Sequence, residues 1–149
     1  MRVLAVRALA VVGRLYTILA GKSDLAGSTE IAPNVYLSDK GNLVIGARRI
    51  GSGTVIHERV TIGRSLTDNK KPLVGNNVWV GPDCTIYGGI EIGDGATLLP
   101  GTVLTKTVPA LAVLRGNPAR LVARNFDNIS LRASVASVHR LLSGEIEIP

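Results

Sequence analysis

Aromatic rings are scarce in this chain, with three Tyr, one Trp and one Phe among 149 residues. An interior built from rings is therefore excluded, and aliphatic side chains with 17 glycines must define it. Cysteine is limited to Cys84, which excludes an internal disulfide framework and fits a reducing, cytoplasmic compartment. Long unbroken apolar runs are missing too. The first 21 residues come nearest, but Arg2, Arg7 and Arg14 interrupt them, against a membrane span or a signal peptide. Acidic residues are outnumbered, 11 against 17 basic ones, for a net charge of +6. The basic residues are scattered and no nucleic-acid motif accompanies them, so no nucleic-acid partner is expected. A polyphosphate ligand or an acidic glycan accounts for the excess equally well. The length suits one domain with a real core.

What the sequence does contain is a period of six. Counting from Ile50 gives Ile50, Ile56, Ile62, then Val74, Val80, Ile86, Ile92, Leu98 and Leu104, with only Asp68 out of pattern. Glycine often follows the aliphatic residue, at Gly51, Gly63, Gly75, Gly81 and Gly93. Four residues after the aliphatic stands something compact: Thr54, Val60, Val78, Cys84, Ala96, Thr102, Val108. Six matches neither a helix at 3.6 nor a plain strand at 2. It matches short strands separated by corners and wound into an all-β solenoid, three hexads to a triangular coil. The aliphatic residue points inward, the glycine lets backbones approach, and the compact residue fills the narrow interior. Cys84 takes one of these compact slots and reads as core filler, not as a nucleophile. The stretch resembles the hexapeptide-repeat family, which implies a left-handed parallel β-helix of about four to five coils.

Three segments follow. Residues 1–28 read as an N-terminal helical segment and loop, the helix packing against the coil or a neighbouring subunit, with adsorption to a membrane surface as the sharper alternative. Residues 29–109 are the β-helix, its first coil bulged where the hexads slip through residues 40–42. Between Ile62 and Val74 an inward Asp68 would be a buried unpaired charge, so residues 63–73 are expected to bow outward as a polar, substrate-facing loop. Residues 110–149 form a tail and a C-terminal helix over 130–142. That helix has Leu131, Val135, Val138 and Leu142 on one face and Ser130 or Asn128 as cap, and it is expected to close the open end of the solenoid or an interface.

Further motifs narrow the family. Asn77-Val78-Trp79-Val80-Gly81, Pro100-Gly101-Thr102-Val103-Leu104-Thr105-Lys106-Thr107-Val108-Pro109 and Gly116-Asn117-Pro118-Ala119-Arg120 occur in that order. They resemble the acetyl-CoA-dependent hexapeptide acyltransferases: the serine, galactoside and maltose acetyltransferases and those of surface polysaccharides. The resemblance implies acetyl-CoA as cosubstrate, no metal requirement, and a homotrimer with coenzyme A in a groove between coils. Lys106, Arg115 and Arg120 would then meet the phosphates, with Asn117 alongside. Pro109 and Pro118 would shape the adenine pocket, Gly81 and Gly101 would offer main-chain amides to the pantetheine arm, and Trp79 would wall the groove or a subunit interface.

The same resemblance implies a histidine general base that takes a proton from the attacking group, with no covalent intermediate. Two histidines exist, and His139 lies in the terminal helix as a structural residue. His57 follows the inward Ile56, with Gly75 and Gly93 expected one and two coils above it, and points to the groove. Glu58 beside it, Asp39 one coil below, or a main-chain carbonyl would orient the ring. Serine acetyltransferases carry an Asp-His-Ala-Thr-Gly run where this chain has Ser38-Asp39-Lys40-Gly41-Asn42, and a His-Pro where it has Lys71-Pro72.

The first reading is therefore acetyl transfer to a hydroxyl or amine of a sugar or cell-surface polysaccharide precursor, with the N-terminal segment as the one place for membrane contact. Serine O-acetylation and a non-catalytic, coenzyme A-binding scaffold are the alternatives. A γ-type carbonic anhydrase would need three zinc-binding histidines, a spacing that one wall histidine cannot supply.

Overall fold

The computed structural model describes residues 23–142, with side chains of the last helix described as far as Val135. The N-terminal helix expected from the sequence and the side chain of His139 lie outside the described residues.

The chain is a parallel β-solenoid of about five coils. One wall stacks β1 (Ser23–Leu25), β4 (Leu43–Ile45), β7 (Thr61–Gly63), β10 (Thr85–Tyr87) and β13 (Val103–Leu104). A second stacks β2 (Glu30–Ile31), β5 (Arg49–Ile50), β8 (Leu73–Val74) and β11 (Glu91–Ile92). The third stacks β3 (Tyr36–Leu37), β6 (Val55–Ile56), β9 (Trp79–Val80), β12 (Thr97–Leu98) and β14 (Val113–Arg115), and β15 (Arg120–Ala123) returns antiparallel on β14. The three walls are called first, second and third below. Within residues 1–28, read from the sequence as a helical segment and loop, Ser23–Leu25 forms a strand paired with Leu43–Ile45. That segment lacks the glycine-punctuated hexad, so periodicity does not reveal it.

The hexad aliphatics are the core. Ile50, Ile56, Ile62, Val80, Ile86 and Leu98 are 0% exposed, and the compact set Thr54, Val60, Val78, Cys84, Ala96 and Thr102 is equally buried. Fully burying one such aliphatic side chain contributes about 1.5–3 kcal/mol, so this column dominates the stability of a prism with no ring-filled interior.

Corners repeat as faithfully as walls. Between the second and third walls, Asn34, Gly53, Asn77, Gly95 and Leu111 all adopt positive φ, and between the third and first walls Arg59, Asp83 and Gly101 do so. Asparagine, aspartate and glycine tolerate this left-handed conformation best. Arg59 at φ 55° and Leu111 at φ 56° adopt it against their preference, because the coil dictates the corner.

The early coils carry the expected slip: Ile31 pairs with Ile50 and Leu37 with Ile56, nineteen residues on by their numbering, whereas Ile45 pairs with Ile62 after seventeen. Asp68 sits in an exposed loop as charge cost requires, accepting from the Lys70 backbone at 3.1 Å. This excursion adds six residues to one coil, so Ile56 pairs with Val80 twenty-four residues on.

The terminal helix α1 (Ile129–Leu142) starts on the side of the solenoid rather than over its open end. Its root is Asn128, 2% exposed, whose Nδ2 donates to Asn77 O at 3.0 Å and Gly95 O at 3.1 Å, with Ala96 O and Thr97 Oγ1 at 3.3 Å. Arg132 fastens it from the helix, Nε to Asn128 Oδ1 at 2.7 Å and Nη1 to Asn77 Oδ1 at 3.0 Å. No described helix is long and apolar enough to cross a membrane.

Candidate functional site

His57 opens the corner after β6, its backbone N–H donating to Val80 O at 3.0 Å. That bond fixes its neighbours. Gly81 and Leu99 follow the paired Val80 and Leu98, so they stand above His57, and the expected Gly75 and Gly93 stand above Gly51 instead. The six extra residues of the loop cause the difference.

The imidazole does not project freely into a groove. It packs on Trp79, ring centroids 4.9 Å apart and planes tilted by 58°. A Cβ at Gly81 would meet Trp79 Cζ3, Leu98 O and Pro100 N, each at 2.9 Å, so the glycine makes room for both the indole and the next rung. Nδ1 faces Glu58 Oε2 at 3.8 Å, while Nε2 and Trp79 Nε1 are buried without a hydrogen-bond partner. Burial lowers the His57 pKa below its ordinary 6.5, and the Glu58 carboxylate offsets only part of this. The ring is thus neutral at pH 7, with its proton at Nδ1 favoured by the carboxylate and its lone pair left at Nε2.

Glu58 is held from below by a residue the sequence did not single out. Ser38, 5% exposed, donates from Oγ to Glu58 Oε2 at 3.4 Å and accepts from the Lys40 backbone at 3.2 Å. Arg59, the other neighbour, is held mainly by Asp83 through Nε–Oδ1 at 2.7 Å and Nη2–Oδ2 at 3.0 Å, with its Nη2 4.0 Å from Glu58 Oε1. Asp39 is exposed, and its carboxylate has no hydrogen bond or ion pair among the described residues. It does not orient His57; Ser38 and Glu58 occupy that place. The register that stacks Leu37 on Ile56 was the signal for Ser38.

At the C-terminal end, a cavity of about 230 Å³ is lined by Leu104, Thr105, Lys106, Thr107, Leu114, Pro118, Ala119 and Arg120. The turn through Gly116 and the cis Asn117–Pro118 peptide folds Ala119 onto Val103, Ala119 N to Val103 O at 3.0 Å, and brings Arg115 opposite Arg120. Lys106, Arg115 and Arg120 are exposed, and among the described residues none of them pairs with a carboxylate. The three cations therefore remain available to an anion beside an apolar floor. The N–H groups of Gly81 and Gly101 already donate to Leu98 O and Pro82 O, both at 2.9 Å, so the N–H side of these main-chain amides is taken within the coil. Ladder bonding consumes corner amides that sequence alone leaves looking free.

Cys84 is a spectator. Its thiol is fully buried, points to Leu99 O at 3.3 Å, and burial pushes its pKa up to about 11. Among the described residues no group of three His, Cys, Asp or Glu side chains could hold a metal ion.

Residues 71–106 match the family described as bacterial transferase hexapeptide (six repeats). The serine acetyltransferase of Synechococcus elongatus is 32% identical over 145 residues, covering 87% of this chain and 59% of that protein. A chloramphenicol acetyltransferase of Agrobacterium fabrum is 39% identical over 59 residues, covering 40% of this chain and 28% of that protein. Among solved structures, the serine acetyltransferase of Neisseria gonorrhoeae superposes with a TM-score of 0.66 at 28% identity, over 72% of this chain and 42% of that one. The chain thus spans less than two thirds of the length of these relatives.

Proposed function

We propose that this chain, a hexapeptide-repeat protein of the acyltransferase type, transfers an acetyl group from acetyl-CoA to the hydroxyl of a small acceptor, with His57 as general base. The observation that carries the reading is the imidazole itself: neutral, turned by Nδ1 to Glu58, with Nε2 uncommitted. A neutral ring with a pKa below 6.5 accepts a proton from an attacking hydroxyl at pH 7. The hydroxyl oxygen bonds to the thioester carbonyl carbon, the carbon–sulfur bond breaks, and the imidazolium returns the proton to the leaving thiolate.

The cavity with Lys106 and Arg120 on its wall and Arg115 beside it suits the phosphates, and Pro118 its apolar part. It lies on the fifth coil and His57 on the second. Three steps of about 4.8 Å give an axial separation of roughly 14 Å, which an extended pantetheine arm spans. We place the groove between neighbouring subunits of a homotrimer, because one prism exposes its walls and cannot enclose the arm alone.

Serine is the acceptor better supported by the relatives, several of which are named serine acetyltransferases. The carbohydrate acceptor read first from the sequence has no such support. Thiol release from acetyl-CoA with serine, a sugar, a nucleotide-sugar and chloramphenicol tests the choice, and turnover fastest with a sugar would reverse it. The covered Nε2 of His57 favours a second reading, a coenzyme A-binding scaffold without turnover. Tight coenzyme A binding with no thiol release from any acceptor supports that one.

A further inference from the structure

Two buried side-chain nitrogens without a hydrogen-bond partner touch each other through their rings: Nε2 of His57 and Nε1 of Trp79. A buried polar atom left unpaired is unfavourable, and native structures keep few of them. Two such atoms on side chains in ring contact can both be satisfied by one polar atom from outside. Their chemistry is complementary. The indole N–H only donates, whereas an imidazole that turns Nδ1 to Glu58 keeps a lone pair at Nε2. The group that accepts from one and donates to the other is a hydroxyl. The ring centroids stand 4.9 Å apart, and one oxygen with hydrogen bonds of about 2.9 Å to each side bridges nitrogens up to roughly 5.8 Å apart.

We propose that Trp79 Nε1 and His57 Nε2 hold one oxygen between them, and that this oxygen is the attacking hydroxyl of the acceptor. The inference rests on the acetyltransferase reading and deepens it by giving the indole a role apart from walling the cofactor groove. The hydroxyl accepts from Nε1–H, which fixes its orientation, and passes its proton to Nε2 as its oxygen bonds to the thioester carbon. A methyl group at Gly81 would meet the indole at 2.9 Å, and the Leu98 carbonyl and Pro100 nitrogen as closely, so the glycine serves both the ring and the coil.

The test uses the full chain with acetyl-CoA and serine, and glucose and chloramphenicol as further acceptors. Trp79→Phe keeps a ring and removes the N–H. It is expected to lower kcat/KM for the acceptor tenfold or more while the KM for acetyl-CoA stays within twofold. Trp79 is the one tryptophan of the chain, so the acceptor should also change wild-type tryptophan emission. Should Trp79→Phe fail to fold, Trp79→Leu removes the N–H with a smaller apolar side chain instead and is expected to lower the same kcat/KM. Unchanged kcat/KM in both variants, or a loss confined to the KM for acetyl-CoA, overturns the shared-oxygen site while His57 remains the base. Absence of turnover in the wild type with every acceptor overturns the acetyltransferase reading, and this inference with it.

Discussion

Glu58 Oε2 lies 3.8 Å from His57 Nδ1 and takes a 3.4 Å hydrogen bond from Ser38 on the coil below. The carboxylate is therefore steered to the imidazole by the neighbouring rung, while its other oxygen lies 4.0 Å from Arg59, which Asp83 holds more closely. Burial nevertheless wins at the ring, whose pKa falls below 6.5. Protonation removes the base, so kcat/KM should fall along an acid limb whose midpoint lies below pH 6.5. Glu58→Gln removes the offsetting attraction and should move that limb lower still. A pH series of thiol release checks both, and a limb above 6.5 contradicts them. The folded state binds fewer protons than the unfolded one between the lowered pKa and 6.5, so this group's stability contribution is lost as pH falls through that window. His57→Gln should flatten that part of the melting-temperature profile.

Lys106 and Arg120 line the C-terminal cavity. Each charge-assisted hydrogen bond to a phosphate is worth about 1.5–3 kcal/mol, so Arg120→Ala should raise the KM for acetyl-CoA roughly tenfold and Lys106→Ala somewhat less. The acceptor KM should stay within twofold, and both effects should shrink as salt is raised. A change confined to the acceptor KM would place coenzyme A elsewhere.

Asn128 is the peg of the terminal helix. Asn128→Ala deprives Asn77 O, Gly95 O and Ala96 O of a donor and should cost about 2–3 kcal/mol, read by chemical denaturation. Limited proteolysis should then cut near residue 128 sooner than in wild type. Equal stability would mean that the helix root carries no weight.

Gly51 and Gly63 look alike in sequence, each following a hexad isoleucine. They differ in space: a Cβ on Gly51 would stand 2.4 Å from the Gly75 carbonyl, whereas one on Gly63 meets nothing within 4 Å. Gly51→Ala should therefore destabilise by about 3 kcal/mol or more, and Gly63→Ala by less than about 0.5 kcal/mol. Melting curves of the pair decide.

The walls of this fold were legible because one constraint repeats. Each inward position must be aliphatic or compact, and Ile56, Val80 and Leu98 report that constraint without context. The bowed loop was legible for the same reason, since Asp68 violates it. What surrounds His57 was not legible by counting eighteens. The loop adds six residues to one coil and moves Gly81, not Gly75, over the histidine, and it sets Trp79 against it. Residues on the outside of a wall face no repeating demand, so Ser38 and the Asp39 misassignment emerge only from the ladder. The ladder also takes the Gly81 and Gly101 N–H groups, which sequence alone leaves looking free. Strand β1 went unread because Ser23–Leu25 carries no hexad glycine.

The central claim is that His57 is the base of an acetyl transfer. The most direct measurement is thiol release from acetyl-CoA by wild type and His57→Ala with serine as acceptor, beside coenzyme A binding by calorimetry. The account predicts that kcat falls by about 10²–10⁴ while the coenzyme A affinity changes less than twofold. Equal turnover by the two proteins would contradict it and move the search for the base to Glu58 or the loop of residues 64–72.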